Sequence, residues 1–186
     1  MTPAYAPHSD FVAPARIRNE LWRLAPAAFV IAGAYLGGIF ILVTYLKQIY
    51  GQWIAVALLQ HMANGDTPGA MLLMLWTFVG LAIGPMVAVR LVNHRSAATL
   101  FGPSPKRVIA DFSSVALPIV GLHVGFLLFV LGAKEIQPGV SFTAFLVYLP
   151  FALPAILIQT GAEEIVFRGY LQQQLAARFD HPAIWM

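Results

Sequence analysis

Two adjacent carboxylates, Glu163 and Glu164, follow a long stretch without a charged residue, and Arg168 comes four positions after Glu164. An ionised carboxylate at membrane depth is costly unless it is paired, so such residues are candidates for function. In a helix, side chains four positions apart meet on one face. The spacing therefore predicts an ion pair between Glu164 and Arg168, which would neutralise one of the two carboxylates.

Glu163 points about 100° away from Glu164 around the same helix and shares its face with Phe167 and Tyr170. Contact with aromatic surface would remove water from this carboxylate and raise its pKa, which is how a general base is tuned. The same residues also suit a solvated helix start at a membrane boundary, with the acids near the positive end of the helix dipole. Spacing alone gives this structural role at least as much weight as catalysis.

The composition indicates the surroundings in which these charges must lie. The chain has 186 residues, of which 59% are hydrophobic and 10% are charged, and its mean hydropathy is +0.75. Soluble domains have about 25% charged residues, so this composition indicates an integral membrane protein and excludes a soluble enzyme or a disordered chain. A net charge of +3 is too small to indicate a nucleic-acid partner, and the absence of cysteine excludes thiolate chemistry.

Four stretches lack Asp, Glu, Lys and Arg for long enough to cross about 30 Å of hydrocarbon as helices. The predicted spans lie near residues 24–46, 67–89, 112–133 and 136–160, and a helix carrying the Glu motif follows near 160–179. The pattern predicts an all-α fold, a polytopic transmembrane helical bundle of about four spans. A polar tail at 1–23 precedes the membrane domain at 24–186.

The connection between the first two predicted spans contains an apolar stretch at residues 49–62 that is too short to cross. An interfacial or re-entrant helix is the expected structure there. Asp66 or Thr67 is expected to cap the second span, since either side chain can accept a hydrogen bond from the backbone of a first helical turn.

Lysine and arginine are unevenly divided between the two sides of the predicted bundle. Nine lie in the tail, the second connection and the segment after the fourth span: Arg16, Arg18, Arg23, Arg90, Arg95, Lys106, Arg107, Arg168 and Arg178. The other side has Lys47 and Lys134. Because cytoplasmic loops carry the excess of Lys and Arg, this division predicts a cytoplasmic N-terminus, in what we expect to be a bacterial inner (plasma) membrane.

Small residues and one histidine inside the spans have structural interpretations that we prefer. Glycines recur at a spacing of four that lets helix backbones approach closely: Gly33 and Gly37, Gly80 and Gly84, and Gly121 and Gly125. Ordinary bundle packing is the favoured reading, with a homodimer interface as the alternative. His123 within the third span is expected to make a hydrogen bond to a neighbouring helix, and a role as a water or metal ligand beside Glu163 is the weaker hypothesis.

Around the carboxylates the sequence resembles the CPBP family, the CAAX-protease and bacteriocin-processing intramembrane proteases, also called Abi proteins. The resemblance depends on Glu163-Glu164-x-x-x-Arg168 and on the Gly169, Tyr170 and Leu171 that follow. The family's first motif is Glu-Glu-x-x-x-Arg, often continuing as Phe-Arg-Gly-x-Leu. The preceding hydrophobic spans and the basic second connection are also similar.

The resemblance implies an intramembrane endopeptidase that cleaves membrane-associated or prenylated substrates. Glu163 would activate the water that attacks the scissile carbonyl, while Glu164 and Arg168 would support the site and orient substrate. No cofactor is established by the resemblance. It leaves open either a divalent metal such as zinc, as in an intramembrane metalloprotease, or a water activated without metal.

The family pattern continues with Phe-x-x-x-His and with a third motif containing His and Asn. His181 lies in Phe179-Asp180-His181-Pro182, which does not match them. The resemblance therefore covers the N-terminal half of the family domain, and we expect the remaining motifs to lie beyond Met186. The alternative is a non-catalytic family member that acts as a membrane immunity or scaffold protein. The oligomeric state is not indicated.

Overall fold

The computed structural model describes residues 6–102, 105–131, 141–179 and 181–185. This part of the chain is helical and contains no strand. The α-helices are α1 (Ala6–Val12), α2 (Leu24–Tyr50), α3 (Gln52–Asn64), α4 (Pro68–Trp76), α5 (Phe78–Leu91), α6 (Pro105–Leu131), α7 (Phe142–Glu164), α8 (Gln173–Arg178) and α9 (Pro182–Trp185). Short 3-10 segments occupy Ala13–Arg18, Leu21–Arg23 and Ala97–Phe101, and a π-helix occupies Ile165–Gln172.

Four helical stretches are long and apolar enough to cross a membrane. They are Leu21–Tyr50, Pro68–Leu91, Ile109–Val130 and Phe142–Arg178. Each overlaps one of the four predicted spans, so the all-α polytopic bundle is confirmed. The predicted start of the fourth span at residue 136 and the third connection with Lys134 lie outside the described residues.

The connection between the first two spans forms a short helix, as the length of its apolar stretch predicted. Helix α3 ends at Gly65, whose φ of +65° suits a residue without a side chain. Thr67 then caps α4, because its hydroxyl oxygen accepts a hydrogen bond from the backbone N–H of Ala70 at 3.3 Å. The choice between Asp66 and Thr67 is therefore settled in favour of Thr67, while the placement of α3 relative to a bilayer stays a prediction.

Helices α2 and α5 form the closest helix pair, and glycine makes their approach possible. A methyl group built on Gly80 would lie 2.9 Å from the Ala34 carbonyl oxygen, and one built on Gly84 would lie 2.9 Å from the Cα of Ile31. Packing is thus the role of this pair of glycines. A methyl group on Gly33, Gly37, Gly121 or Gly125 would meet nothing within 4 Å, so the same spacing does not bring helices together there.

The third span differs from the other three in its surroundings. Within the stretch Ile109–Val130, none of the most apolar 18-residue window is buried. His123 lies on this helix and is exposed, and its Nδ1 donates a hydrogen bond to the carbonyl of Ile119 at 2.8 Å. The expected hydrogen bond to a neighbouring helix is therefore wrong: the acceptor is the carbonyl one turn earlier in the same helix.

The segment with the Glu motif is continuous with the fourth span. Pro150 and Pro154 lie inside α7 and do not end it; prolines are tolerated in membrane helices where neighbouring groups satisfy the freed backbone. In place of a separate helix beginning near residue 160, one helical run extends from Phe142 to Arg178. The run changes from α to π geometry at Ile165 and returns to α geometry at Gln173.

The N-terminal segment predicted as a tail is folded against the end of this run. Val12 and Ala15 are almost fully buried. The side chain of Asn19 donates a hydrogen bond to the carbonyl of Ala177 in α8 at 3.0 Å. The N-terminal segment is therefore part of the structure that surrounds the last described helices.

Candidate functional site

Glu163 and Glu164 are the last two residues of α7. At 1.5 Å per residue, Glu163 lies roughly 32 Å along the helix axis from Phe142, which is close to the thickness of the hydrocarbon core. A helix that begins at one boundary of the bilayer would therefore bring the two carboxylates to the opposite boundary. They do not begin a helix, so the structural alternative that used the positive end of the helix dipole does not apply.

The predicted ion pair is confirmed. Nε of Arg168 lies 3.1 Å from Oε2 of Glu164, and the two side chains are 74% and 56% exposed, respectively. Exposed pairs at this spacing contribute little to stability, typically about 0.3–0.5 kcal/mol. The contact therefore orients and neutralises Glu164 more than it holds the helix together.

Glu163 has different partners from its neighbour. Its Oε1 accepts a hydrogen bond from the side-chain amide of Gln159 at 3.2 Å, and it joins no ion pair among the described residues. The aromatic contact expected around Glu163 is not formed as predicted. Glu163 and Phe167 are both exposed, and Tyr170 is buried against another part of the chain.

The helix directly after the carboxylates is a π-helix, a rare geometry that occurs frequently at functional sites. It contains Arg168 and ends at Gln172. Within it, Gly169 lies so close to the second connection that an added methyl group would be 2.9 Å from the Leu100 carbonyl oxygen. The glycine that follows Arg168 in the motif is thus required by backbone contact.

A buried polar cluster lies next to this segment. Tyr170 is 3% exposed, and its hydroxyl donates a hydrogen bond to Oδ1 of Asn93 at 3.0 Å. Nη1 of Arg95 donates to the side-chain oxygen of Gln173 and to the hydroxyl of Thr99. Burial lowers the pKa of Arg95 to about 10.

Gln173 joins three segments of the chain. It is fully buried, and its side-chain amide donates hydrogen bonds to the carbonyls of Phe11 and Thr99 while its oxygen accepts from Arg95. The N-terminal segment, the second connection and the end of the helical run therefore meet at one residue. These are the three segments that the distribution of Lys and Arg predicts to lie on one side of the membrane.

From the sequence, Arg95 was predicted only as a charge in a connection, and neither Asn93 nor Gln173 was predicted to be a functional residue. One signal was available: three consecutive glutamines, Gln172–Gln174, follow an apolar helix where solvated charges would be expected. Buried amides need partners, but the sequence does not show which residues supply them. The partners of Gln173 come from the second connection and from Phe11 in the N-terminal segment, both far away along the chain.

An apolar cavity of about 440 Å³ lies beside the same helical run. The run contributes Val166, Tyr170 and Leu171 to its lining, and α2 contributes residues that include Leu24 and Ile31. This volume is within the range of small-molecule sites. The cavity is therefore large enough for an aliphatic chain, and its lining includes Val166, three positions after Glu163 in the sequence.

The described residues do not fit a complete zinc site. Zinc in proteins is held by three or four side chains of Cys, His, Asp or Glu, and no three such side chains converge in the described part of the chain. Glu164 is engaged by Arg168 and Glu163 by Gln159. His181 is exposed, and its Nδ1 accepts a hydrogen bond from the backbone of Ala183.

Comparison of the chain with protein-family models, with curated proteins and with solved structures finds no match in any of the three.

Proposed function

We propose that this protein is an intramembrane endopeptidase of the CPBP type, which hydrolyses peptide bonds of membrane-associated substrates with a water activated by Glu163. The observation that carries the proposal is the unequal environment of two adjacent carboxylates. Glu164 is paired with Arg168 at 3.1 Å, while Glu163 accepts a hydrogen bond from the neutral amide of Gln159. Different environments for neighbouring titratable groups are typical of acid–base sites.

In the proposed reaction, Glu163 removes a proton from water as the water oxygen bonds to the scissile carbonyl carbon. The protonated Glu163 then transfers this proton to the departing amine nitrogen as the carbon–nitrogen bond breaks. Arg168 holds Glu164 and orients the substrate by hydrogen bonds to its backbone. The products are a carboxylate and an amine, and Glu163 is regenerated. No step is assigned to a metal, because the described residues do not supply its ligands.

The substrate is proposed to be a membrane-associated or prenylated peptide or protein. The apolar cavity lined by Val166 and Leu171 would accommodate its aliphatic part. With a cytoplasmic N-terminus in a bacterial inner membrane, as the Lys and Arg distribution favours, the carboxylates would face the cytoplasmic boundary. Cleavage would then occur close to the lipid headgroups.

The test uses the full chain in lipid vesicles together with a farnesylated peptide that ends in a CAAX sequence, and mass spectrometry detects cleavage. Replacing Glu163 by Gln keeps the side-chain shape but removes the base, so the rate should fall by at least about 100-fold. Asp111→Asn is the matched control, because this exposed carboxylate on α6 is remote in sequence from the motif. Its rate should equal that of the parent.

Cleavage that continues at the parent rate in Glu163→Gln would refute the role of this residue. Absence of cleavage by the parent would contradict the endopeptidase proposal and favour the non-catalytic alternative, an immunity or scaffold protein. That alternative also expects function in cells to survive loss of the Glu163 carboxylate.

A further inference from the structure

The Glu motif lies between two parts of one helical run that are held in different ways. Before the motif, Ala155 and Ala162 of α7 are fully buried. After it, Gly169 packs on the backbone of Leu100, and Tyr170 is hydrogen-bonded to Asn93. Between these fixed parts, Glu163, Glu164 and Arg168 are exposed.

The π-helix Ile165–Gln172 contains Arg168 and the first residues of the second fixed part, Gly169 and Tyr170. A π-turn contains more residues than an α-turn, and isolated π-helices are rare because α geometry is the more stable default. Conversion of this segment to α geometry would rotate the residues after it relative to those before it. Residues four positions apart also meet in α geometry, so the Glu164–Arg168 contact itself would survive this conversion. The contacts that hold the residues after Arg168 therefore set the direction in which the pair faces relative to the rest of α7.

Arg95 makes the strongest type of downstream contact. A hydrogen bond from a guanidinium is charge-assisted and stronger than one between neutral groups. Arg95 directs Nη1 to Gln173, the fully buried residue directly after the π-helix. The same nitrogen also donates a hydrogen bond to the hydroxyl of Thr99 at 2.9 Å. The group that holds Gln173 in place therefore belongs to the second connection and not to the helical run itself.

We propose that Arg95 is a positioning residue for the Glu site: through Gln173 it holds the π-helix, and thereby sets the direction in which Arg168 faces relative to Glu163 and the rest of α7. The second connection then controls the geometry of carboxylates that it does not touch. The inference rests on the proposed function for the statement that this geometry matters to peptide cleavage. The structural part can be measured without a substrate.

The experiment compares the parent with Arg95→Met in lipid nanodiscs by amide hydrogen exchange and mass spectrometry. Exchange across residues 163–178 should become about tenfold faster in the variant, the factor corresponding to one hydrogen bond to a charged group. Exchange in α2 should stay at the parent rate. Arg90→Met, which removes an exposed arginine from the end of α5, is the matched control and should resemble the parent.

A second pair of variants tests the same hydrogen bond from its acceptor side, so the inference can still be tested if Arg95→Met does not fold. Gln173→Ala removes the acceptor of the Arg95 hydrogen bond, whereas Gln173→Glu keeps an acceptor there but loses the amide donor to Phe11 and Thr99. Exchange should therefore be faster in Gln173→Ala than in Gln173→Glu. Equal exchange in the two variants would overturn the role of Arg95.

Cleavage of the farnesylated peptide separates positioning from general stability. Arg95→Met should lower kcat about tenfold and raise KM by a smaller factor, because the α2 side of the binding cavity is not altered. Parent-like exchange, or faster exchange that extends to α2, would overturn the inference, and so would unchanged kcat in a variant with faster local exchange. If the parent does not cleave, the proposed function fails, but the exchange data still decide whether Arg95 holds the π-helix.

Discussion

Residues 163–174 of the helical run that begins with α7 form two halves, which differ in whether their polar side chains are exposed or buried. In the motif half, residues 163–168, the two glutamates and Arg168 are exposed. In the anchor half, residues 169–174, Gly169, Tyr170, Gln173 and Gln174 are buried. The anchor half uses polar groups to join the run to the second connection, as the Tyr170–Asn93 and Gln173–Arg95 hydrogen bonds demonstrate.

Stability and chemistry are thus assigned to two adjacent segments of six residues each: the anchor half stabilises the fold, and the motif half contains the proposed site. Glu164 and Arg168 in the motif half form an exposed ion pair, and such pairs contribute little to the free energy of unfolding. Stability alone therefore does not explain why these charges are present. In the anchor half the buried side chains of Tyr170 and Gln173 have hydrogen-bond partners, and a variant that leaves such a buried group unsatisfied should cost about 1–3 kcal/mol. Substitutions in the anchor half should therefore affect stability, and substitutions in the motif half should affect activity.

The largest effect on stability is expected for Gly169→Ala. The new methyl group would lie 2.9 Å from the Leu100 carbonyl oxygen, so backbone must move. We expect a loss of about 2 kcal/mol in the free energy of unfolding, measured by SDS titration in mixed micelles. Gly161→Ala is the matched control in the same run, because its methyl group meets nothing within 4 Å. This control should be neutral or stabilising by up to about 1 kcal/mol, and equal losses in both variants would contradict the close approach at Gly169.

The two halves also differ in how far the sequence could predict them. The spans followed from uncharged stretches, and the Glu164–Arg168 pair from a spacing of four, because both depend on neighbouring residues. The Arg95–Gln173 contact joins residues 78 positions apart, so it depends on how α5, the second connection and α7 pack. Two Gly-x-x-x-Gly pairs illustrate the same limit: Gly80 and Gly84 contact α2, whereas methyl groups on Gly33 and Gly37 would meet nothing.

A smaller effect is expected for Tyr170→Phe, which tests the hydrogen bond of the anchor half without removing the ring. The variant leaves Oδ1 of Asn93 without the donor that now lies 3.0 Å away. We expect a loss of about 1 kcal/mol in the free energy of unfolding. Tyr45→Phe is the control, since Tyr45 is 58% exposed on α2, and it should behave as the parent does. A neutral Tyr170→Phe would show that the hydrogen bond to Asn93 does not contribute to the stability of the anchor half.

The smallest effect on stability is expected where the effect on activity is large. Glu164→Gln removes the charge that pairs with Arg168, but both side chains are more than half exposed. The free energy of unfolding should therefore change by less than about 0.5 kcal/mol. Cleavage of the farnesylated peptide should fall by at least about tenfold, since Arg168 would lose the partner that orients it. A loss of stability as large as that of Gly169→Ala, with cleavage unchanged, would reverse the assignment of the two halves: the carboxylate pair would then be a structural element, and the search for chemistry would move to the buried cluster around Arg95.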